Sequence, residues 1–348
     1  MIVTGTILGL NRSEKIGIAS IFGILAIITI LAFSIELVIG ETTVVLAGLG
    51  IVAYVFGLRH GVDADHIAAI DNTTRKLLQE GKRPYTVGLW FSLGHSTVVF
   101  ALIIALIFAT RAVATSIPAL QSTGSIIGTV VSGSFLWIIG LINALIVIGI
   151  YKLFKELRKG KINQEKLDEL LENRGFMNRY FKRLYGAISK PWHIYPIGVL
   201  FGLGFDTASE IALIGISVGI GVSTNMPIYY LLVLPLLFAC GMITVDTADG
   251  VAMRLAYGWA FLNPLRKIYY NLTITLTSVL VAWVVGGIEL LQVLSSKLNW
   301  SGFFWSWLNE LNFEIIGFAI IGLFMVSWAV SFGYWKFKHL DKTLPLPT

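Results

Sequence analysis

Long apolar segments separated by short polar connections run along the whole chain. A window of about 19 residues, which suits a membrane helix, separates eight of them. At about 1.5 Å per residue, each can cross a hydrocarbon core of about 30 Å. The pattern therefore predicts an all-α polytopic membrane protein with a single transmembrane domain over 1–348. The predicted spans are 16–39, 44–70, 86–110, 125–151, 194–221, 228–253, 268–294 and 313–335.

The composition agrees with a membrane protein. The chain has 348 residues, of which 56% are hydrophobic and 13% are charged. Soluble domains carry about 25% charged residues, so this balance indicates a multi-span membrane protein. The single cysteine, Cys240, excludes a disulfide framework and a cysteine-cluster metal site.

The basic residues are distributed unevenly between the connections. The two tails and the connections after spans two, four and six hold 23 of the 26 lysines and arginines. Because positively charged connections stay in the cytoplasm, this bias predicts that both termini are cytoplasmic. The same bias makes 152–192 a long cytoplasmic loop, and the alternating charges of this loop are typical of a solvated helix. No pattern indicates a nucleic-acid partner.

Four polar clusters interrupt the predicted spans: "RHGVDADH" (59–66), "LGHSTVV" (93–99), "LGFDTASE" (203–210) and "GMITVDTADG" (241–250). Each charged side chain at the bilayer centre costs about 2.5–3.5 kcal/mol. Protonated acids and an Arg59–Asp63 pair would offset part of this cost, but they leave the histidines unexplained. A cation shared by the clusters explains all of these groups. The candidate residues are His60, Asp63, Asp65, His66, His95, Asp206, Glu210, Asp246 and Asp249.

The donor types narrow the choice of cation. Imidazole and carboxylate without thiolate suit divalent nickel, cobalt, copper or zinc better than calcium or magnesium. Two further acidic residues, Glu36 and Glu289, lie near span ends, where an interfacial position needs no function.

A regular helix cannot direct the whole first cluster at one ion. At about 100° per residue, His60, Asp63 and His66 share an arc of about 120°, whereas Asp65 points about 100° away from His66. Either the backbone breaks near the glycines at 57 and 61, or Asp65 orients a histidine from outside the coordination sphere. We favour the second interpretation. His95 is expected to be a further ligand or a relay.

A weak internal repeat relates the two halves. Phe-Gly-Leu at 56–58 recurs at 201–203, and "GHSTVV" (94–99) matches "GMITVD" (241–246). The offset spans three helices, so the copies would cross the membrane in opposite directions. This pattern predicts an inverted-topology repeat relating spans 2–3 to spans 5–6, as in alternating-access carriers.

The four clusters together resemble a known family. "RHGVDADHI" resembles the H-x4-D-H signature of the nickel/cobalt transporter (NiCoT) permeases, and the other three clusters resemble that family's remaining signatures in the same order. Gly61 stands where the family usually has alanine, and Ser209 where it usually has threonine. The resemblance implies uptake of Ni²⁺, Co²⁺ or both across the cytoplasmic membrane. The resemblance implies functional roles for His60, Asp65 and His66, and for Asp63 and His95 beside them.

We therefore expect a secondary transporter with a metal site at His60, Asp63, Asp65, His66 and His95. Asp206, Glu210, Asp246 and Asp249 would line the pathway or couple transport to protons. The cation is the substrate, no resident cofactor is expected, and the absence of a phosphate loop argues against ATP hydrolysis by this chain. An exporter of the same ions is an alternative. An intramembrane metalloenzyme is a weaker one, because H-E-x-x-H does not occur.

Overall fold

The computed structural model describes residues 10–40, 48–108, 117–158, 188–203, 232–260 and 264–337. Every regular element within these ranges is a helix, which confirms the all-α prediction. The α-helices are α1 (Arg12–Gly40), α2 (Leu49–His60), α3 (Ala64–Gln79), α4 (Val87–Phe108), α5 (Ile117–Arg158), α6 (Tyr195–Phe201), α7 (Val233–Ala260), α8 (Pro264–Lys297), α9 (Phe303–Asn309) and α10 (Phe313–Phe337). A 3₁₀ turn, Pro191–Ile194, precedes α6.

Four of the described helices are long and apolar enough to cross a membrane. These spans are Arg12–Val38, Val87–Ala105, Val233–Tyr257 and Thr275–Lys297. Shorter apolar stretches occur at Leu49–His60, Thr129–Leu145 and Ile315–Ser327. The count of eight spans stays a prediction, since much of the fifth predicted span lies outside the described residues.

Helix α7 lies at the centre of the bundle and packs against α1, α2, α3 and α4. Helix α1 lies at the periphery, where Ile30 is 64% exposed and Val38 is 69% exposed. Such aliphatic side chains are suited to lipid. The interior of the bundle is therefore available for polar side chains that lipid would not tolerate.

The predicted second span, 44–70, is two helices rather than one. Helix α2 ends at His60 and α3 begins at Ala64. The backbone N–H of Val62 donates to Arg59, and that of Asp63 donates to His60, both at 3.0 Å. Asp63 then adopts an extended ψ of 143°. The helix break, which was the less favoured alternative, is thus the arrangement found. The turn places His60 at the end of one helix and His66 in the first turn of the next.

Glycines let α2 and α7 pack with their backbones in contact. A Cβ atom at Gly57 would collide with the carbonyl of Phe238, and one at Gly241 would collide with the carbonyl of Tyr54. Side chains at these positions would force the helices apart. The face of α2 that carries Gly57 is therefore a packing face, and this contact lies one turn before His60.

The same contacts join α6 to α4. A Cβ atom at Gly198 would collide with the carbonyl of Phe91, and one at Gly94 would collide with the carbonyl of Tyr195. The two sets of contacts correspond residue by residue. Adding 141 to the residue numbers of the α2 contacts gives those of α6, and adding 147 to the residue numbers of the α4 contacts gives those of α7. The first helix of each half thus packs on the second helix of the other half.

That exchange is the arrangement a two-fold axis would produce. The contacts align α2 with α6 at an offset of 141 residues. This offset is about one helical turn shorter than the 145 residues that separate the two Phe-Gly-Leu sequences. The inverted repeat itself stays a prediction, because residues 204–231 lie outside the described part.

Helix α3 carries a polar stretch, 71–76, that is buried throughout. The guanidinium of Arg75 donates to Thr275 Oγ1 at 2.9 Å and to Ser278 Oγ at 2.5 Å, both on α8. It lies 4.1 Å from the ring centroid of Tyr257 and 3.6 Å from Asp71 Oδ1. The hydroxyl of Tyr257 donates to the same carboxylate. This network fixes α3 between α7 and α8.

Two basic residues counted with the connection after span two therefore lie inside the bundle. Arg75 is 0% exposed and Lys76 is 1% exposed, because α3 continues to Gln79. Lys76 Nζ donates to the carbonyl of Ile188 and lies 3.2 Å from Glu80 Oε1. Within the predicted cytoplasmic loop, 152–158 extends α5, and 159–187 lies outside the described residues.

Replacing Gly57 by leucine should destabilise the bundle, because the new side chain meets the backbone of Phe238. Overpacking costs about 1–3 kcal/mol, and contact with backbone should place this variant at the upper end. The thermal aggregation midpoint of the detergent-solubilised protein would measure the loss. Gly23→Leu is the matched control, since a Cβ at Gly23 meets nothing within 4 Å. Equal midpoints for the two variants would refute the packing argument.

Replacing Arg75 by methionine should destabilise the protein by about 3–5 kcal/mol, since Asp71 would keep a buried charge without its counter-ion. The same thermal measurement applies. Lys82→Met, at an exposed position after α3, should leave the midpoint unchanged. Adding Asp71→Asn to Arg75→Met should recover part of the loss, and a further drop would argue against the ion pair.

Candidate metal centre

Three imidazole rings from three helices meet inside the bundle. One nitrogen from each of His60, His66 and His95 lies within 4.8 Å of the others. The Nε2 atoms of His60 and His95 are 3.1 Å apart. Ring centroids are 4.7–4.9 Å apart for the three pairs. All three residues are at most 3% exposed.

The position of each ring follows from the local fold. His60 ends α2 and His66 lies in the first turn of α3, so the turn at 61–63 folds one ring toward the other. His95 lies in the middle of α4, where the adjacent Gly94 lets α6 approach closely. The cluster therefore exists only when α2, α3 and α4 are packed together.

Two carboxylates hold two of these rings. Asp246 Oδ2, on α7, lies 3.1 Å from Nδ1 of His66, and the hydroxyl of Ser92 donates to the same oxygen. Asp63 Oδ2 lies 3.0 Å from Nδ1 of His60, although the N–H is not aligned for a regular hydrogen bond. A carboxylate at Nδ1 fixes the tautomer and leaves Nε2 with its lone pair. His66 thus presents Nε2 as a donor atom, and the carboxylate beside Nδ1 of His60 favours the same tautomer in that ring.

Aromatic side chains close the cluster on two sides. Phe91 stands edge-on to His66, with centroids 4.7 Å apart, and Phe238 lies 5.6 Å from His60. Phe91 and Phe238 also supply the carbonyls that the glycines approach. These walls keep water from the rings, so charges act through a lower local dielectric than in water.

The arrangement has the donor atoms of a transition-metal site. Metal–imidazole bonds are about 2.0–2.1 Å long, so two donors on one ion are at most about 4.2 Å apart. The 3.1 Å between His60 and His95 fits neighbouring positions on an ion. A full set of three bonds requires the most distant pair, which is at most 4.8 Å apart, to close by up to about 0.6 Å.

Asp65 lies beside the cluster. Its Oδ1 accepts the backbone N–H of His66 at 2.9 Å, and its half-buried side chain lines a cavity shared with Arg59 and Asp63. The sequence suggested that Asp65 orients a histidine ring. In the structure, Asp246 contacts Nδ1 of His66 and Asp63 lies beside Nδ1 of His60, while the role of Asp65 stays a prediction.

The remaining predicted residues are placed differently. Asp249 lies on α7 one turn after Asp246, half-buried, and its Oδ2 has no hydrogen-bond donor in the described part of the chain. Asp206 and Glu210 lie outside the described residues.

Sequence reasoning missed one residue at the site and misplaced two acidic residues elsewhere in the bundle. Ser92 stands one turn before His95, and that spacing is the signal that could have placed both on one helix face. Glu289, assigned to an interface, is only 3% exposed, and Ser132 Oγ lies 2.8 Å from both of its carboxylate oxygens. Its position inside an apolar run of α8 was the available signal. Glu36 is also buried, and its Oε1 accepts the N–H of Gly50 at 2.7 Å.

Comparison with known proteins identifies the family. The family model NicO, described as high-affinity nickel-transport protein, matches residues 46–333. The chain belongs to the NicO family. The matched region contains all four polar clusters and the three histidines.

Relatives with similar length support this membership. The nickel transporter NixA of Staphylococcus aureus is 45% identical over 332 residues, which cover 95% of this chain and 97% of the relative. The nickel transporter NicT of Mycobacterium tuberculosis is 46% identical over 299 residues, covering 85% and 80%. The cobalt transport protein NhlF of Rhodococcus rhodochrous is 36% identical over 338 residues, covering 95% and 94%. No solved structure matches the chain.

NicO membership places the chain among transporters rather than enzymes, so the metalloenzyme alternative has no support. It also accounts for the apolar helices, because a transporter of this family is a membrane protein.

Proposed function

We propose that the protein is a secondary transporter that takes up Ni²⁺, Co²⁺ or both across the cytoplasmic membrane. The cation passes through the cluster of His60, His66 and His95. The observation that carries this proposal is the meeting of three buried imidazoles, two of them backed by carboxylates, in a chain of a nickel-transport family.

Charge balance supports a divalent substrate. Three neutral imidazoles supply donor atoms but no charge. Asp63 and Asp246 contact the rings and, when ionised, supply two negative charges beside them. A doubly charged ion would then enter a buried site without leaving a large net charge there. This compensation is what a buried ionic site requires, because unbalanced charge in the interior is costly.

The donor atoms suit borderline transition metals. Imidazole and carboxylate bind nickel and cobalt well, whereas calcium and magnesium prefer all-oxygen sites. Two of the relatives described above are named for nickel and one for cobalt. Both metals form bonds of similar length to nitrogen, so the proposal includes both.

The membrane potential can drive accumulation. An inside-negative potential contributes about 2.3 kcal/mol per charge per 100 mV, or about 4.6 kcal/mol for a divalent ion. The proposed transporter is a single permease domain over 1–348. Its termini and the loop over 152–192 are proposed to lie in the cytoplasm. Asp206, Glu210 and Asp249 are proposed to line the route or to exchange protons, together with Asp246.

Replacing His60, His66 or His95 singly by alanine should abolish ⁶³Ni uptake by intact cells, because each removal takes one donor from the cluster. Membrane abundance should be unchanged. His193→Ala is the matched control, since that ring lies beside the 3₁₀ turn, where its Nδ1 accepts the N–H of Ser189. Normal uptake by any of the three cluster variants would remove that histidine from the site. Cells that hold less nickel with the wild-type protein than without it would indicate export.

Replacing Asp246 by asparagine should weaken nickel binding by about 10–100-fold, the usual effect of losing a carboxylate that orients a metal-binding histidine. Equilibrium dialysis of the purified protein against ⁶³Ni²⁺ measures the affinity. Thr97→Ala, at an exposed position of α4, should not change it. An affinity unchanged in Asp246→Asn would contradict the role of this carboxylate.

A further inference from the structure

A cavity of about 810 Å³ adjoins the histidine cluster. Its walls come from the first half of α5, the C-terminal end of α8 and the segment that joins α9 to α10. In the proposed topology all three lie on the outer side of the membrane. The turn between α2 and α3 forms its inner end. Four lining residues matter to the argument: Arg59, Asp63, Asp65 and Glu289.

Asp63 belongs to both the cavity and the cluster. It lines the cavity, and its Oδ2 lies 3.0 Å from Nδ1 of His60. Asp63 is 1% exposed, and its Oδ1 has no hydrogen-bond donor in the described part of the chain. Asp63 therefore links the cavity wall to the imidazole cluster. Because Oδ1 is buried, an ion would reach this oxygen, which still has acceptor capacity, only as it leaves the cavity for the cluster.

Glu289 is the acidic residue of the cavity that no sequence motif indicated. It lies in the apolar part of α8, where a buried carboxylate is expensive. Ser132 Oγ, 2.8 Å from both carboxylate oxygens, holds it in place. With Asp63 and Asp65 it gives three carboxylates against the one guanidinium of Arg59. The cavity is therefore lined with excess negative charge when these acids are ionised.

We propose that this cavity is an outer vestibule, in which a hydrated divalent cation binds before it reaches the histidines, and that Glu289 is one of the residues that capture it. This inference rests on the proposed function and concerns the route to the same site. A cation with six waters occupies about 180 Å³ at about 30 Å³ per water, so it fits with its hydration shell intact.

The vestibule favours divalent ions by charge and holds them weakly. A doubly charged ion gains twice the attraction of a monovalent ion from each carboxylate. The ion keeps its water in the vestibule, so no bond between the metal and a vestibule carboxylate has to be broken for it to move on. The positive charge of Arg59 lowers the affinity of the vestibule for the cation further. Water is lost only beyond the vestibule, where the carboxylate of Asp63 and the imidazole nitrogens of the cluster replace it.

The test measures initial ⁶³Ni uptake by intact cells as a function of nickel concentration. Glu289→Gln keeps the size and hydrogen-bonding capacity of the side chain and removes its charge. In water, a divalent ion about 6 Å from one carboxylate gains about 1.4 kcal/mol, which corresponds to tenfold. The half-saturating nickel concentration should therefore rise about tenfold at low ionic strength, with the maximal rate retained. The increase should shrink to about twofold near 0.5 M salt.

Two further variants separate charge from structure. Ser132→Ala keeps the charge and releases its position, so it should raise the half-saturating concentration less than Glu289→Gln does. Glu310→Gln is the matched control, because Glu310 is an exposed glutamate after α9 that does not line the cavity. This control should match the wild type. A Glu289→Gln variant that is present at normal abundance and has wild-type kinetics would overturn the proposal, as would an effect independent of salt.

Accessibility provides a second measurement that does not depend on the direction of transport. In a Cys240→Ser background, Ser296→Cys places a thiol in the cavity wall. A membrane-impermeant maleimide should label it in intact cells. Lys82→Cys, at the predicted cytoplasmic turn, should react only after permeabilisation. Labelling of Ser296→Cys only after permeabilisation would overturn an outer vestibule.

The outcomes distinguish this inference from the proposed function. Wild-type uptake that requires His66 but is indifferent to Glu289 would overturn the vestibule alone. Absence of nickel uptake by the wild-type protein would overturn the proposed function and the role of the vestibule with it.

Discussion

The contact between buried carboxylates and buried imidazoles is the interaction on which the site depends. Asp246 fixes His66, and Asp63 lies beside His60, within a bundle whose outer surface is suited to lipid. Taking such groups out of water is costly unless they are paired and hydrogen-bonded. Pairing makes the burial tolerable, and for His66 it also fixes which nitrogen faces the cluster. Stability and donor geometry therefore come from the same contacts.

The backbone supports this arrangement in two ways. The turn at 61–63 interrupts what would otherwise be one long helix, so that His60 and His66 approach each other from successive helices. Gly57 and Gly241 then bring α2 against α7, the helix that carries Asp246. Since Gly94 and Gly198 make the matching contact between α4 and α6, His95 is positioned by the same device.

Polar groups extend beyond the cluster on both sides. Toward the predicted outer side lies the cavity with Glu289, and in the other direction α3 continues into the network of Asp71, Arg75 and Tyr257. The guanidinium of this network is bonded to two side chains of α8, which is typical of a structural element. The cavity instead has space and excess negative charge. These features suit different roles, one holding α3 in place and the other admitting an ion.

The sequence by itself determined the all-helical membrane character, the four polar clusters and the type of donor atom. These properties depend on composition and on residues close together in the chain. The apolar runs predict helices, and histidines with aspartates inside such runs predict a cation. Four signatures in order also pointed to the family that the comparison confirms.

Only the tertiary structure decided which residues meet. His66 and Asp246 are 180 residues apart, and Ser132 and Glu289 are 157 apart, so no local pattern could pair them. The helix break was also undecided, because a glycine permits both a continuous and an interrupted helix. Close packing of α10 on the turn, where Gly317 meets the carbonyl of Val62, contributes to that choice. Which side chains pair across helices is set by the packing of the whole bundle. That packing depends on many contacts between distant residues at once, so no short stretch of the sequence determines it.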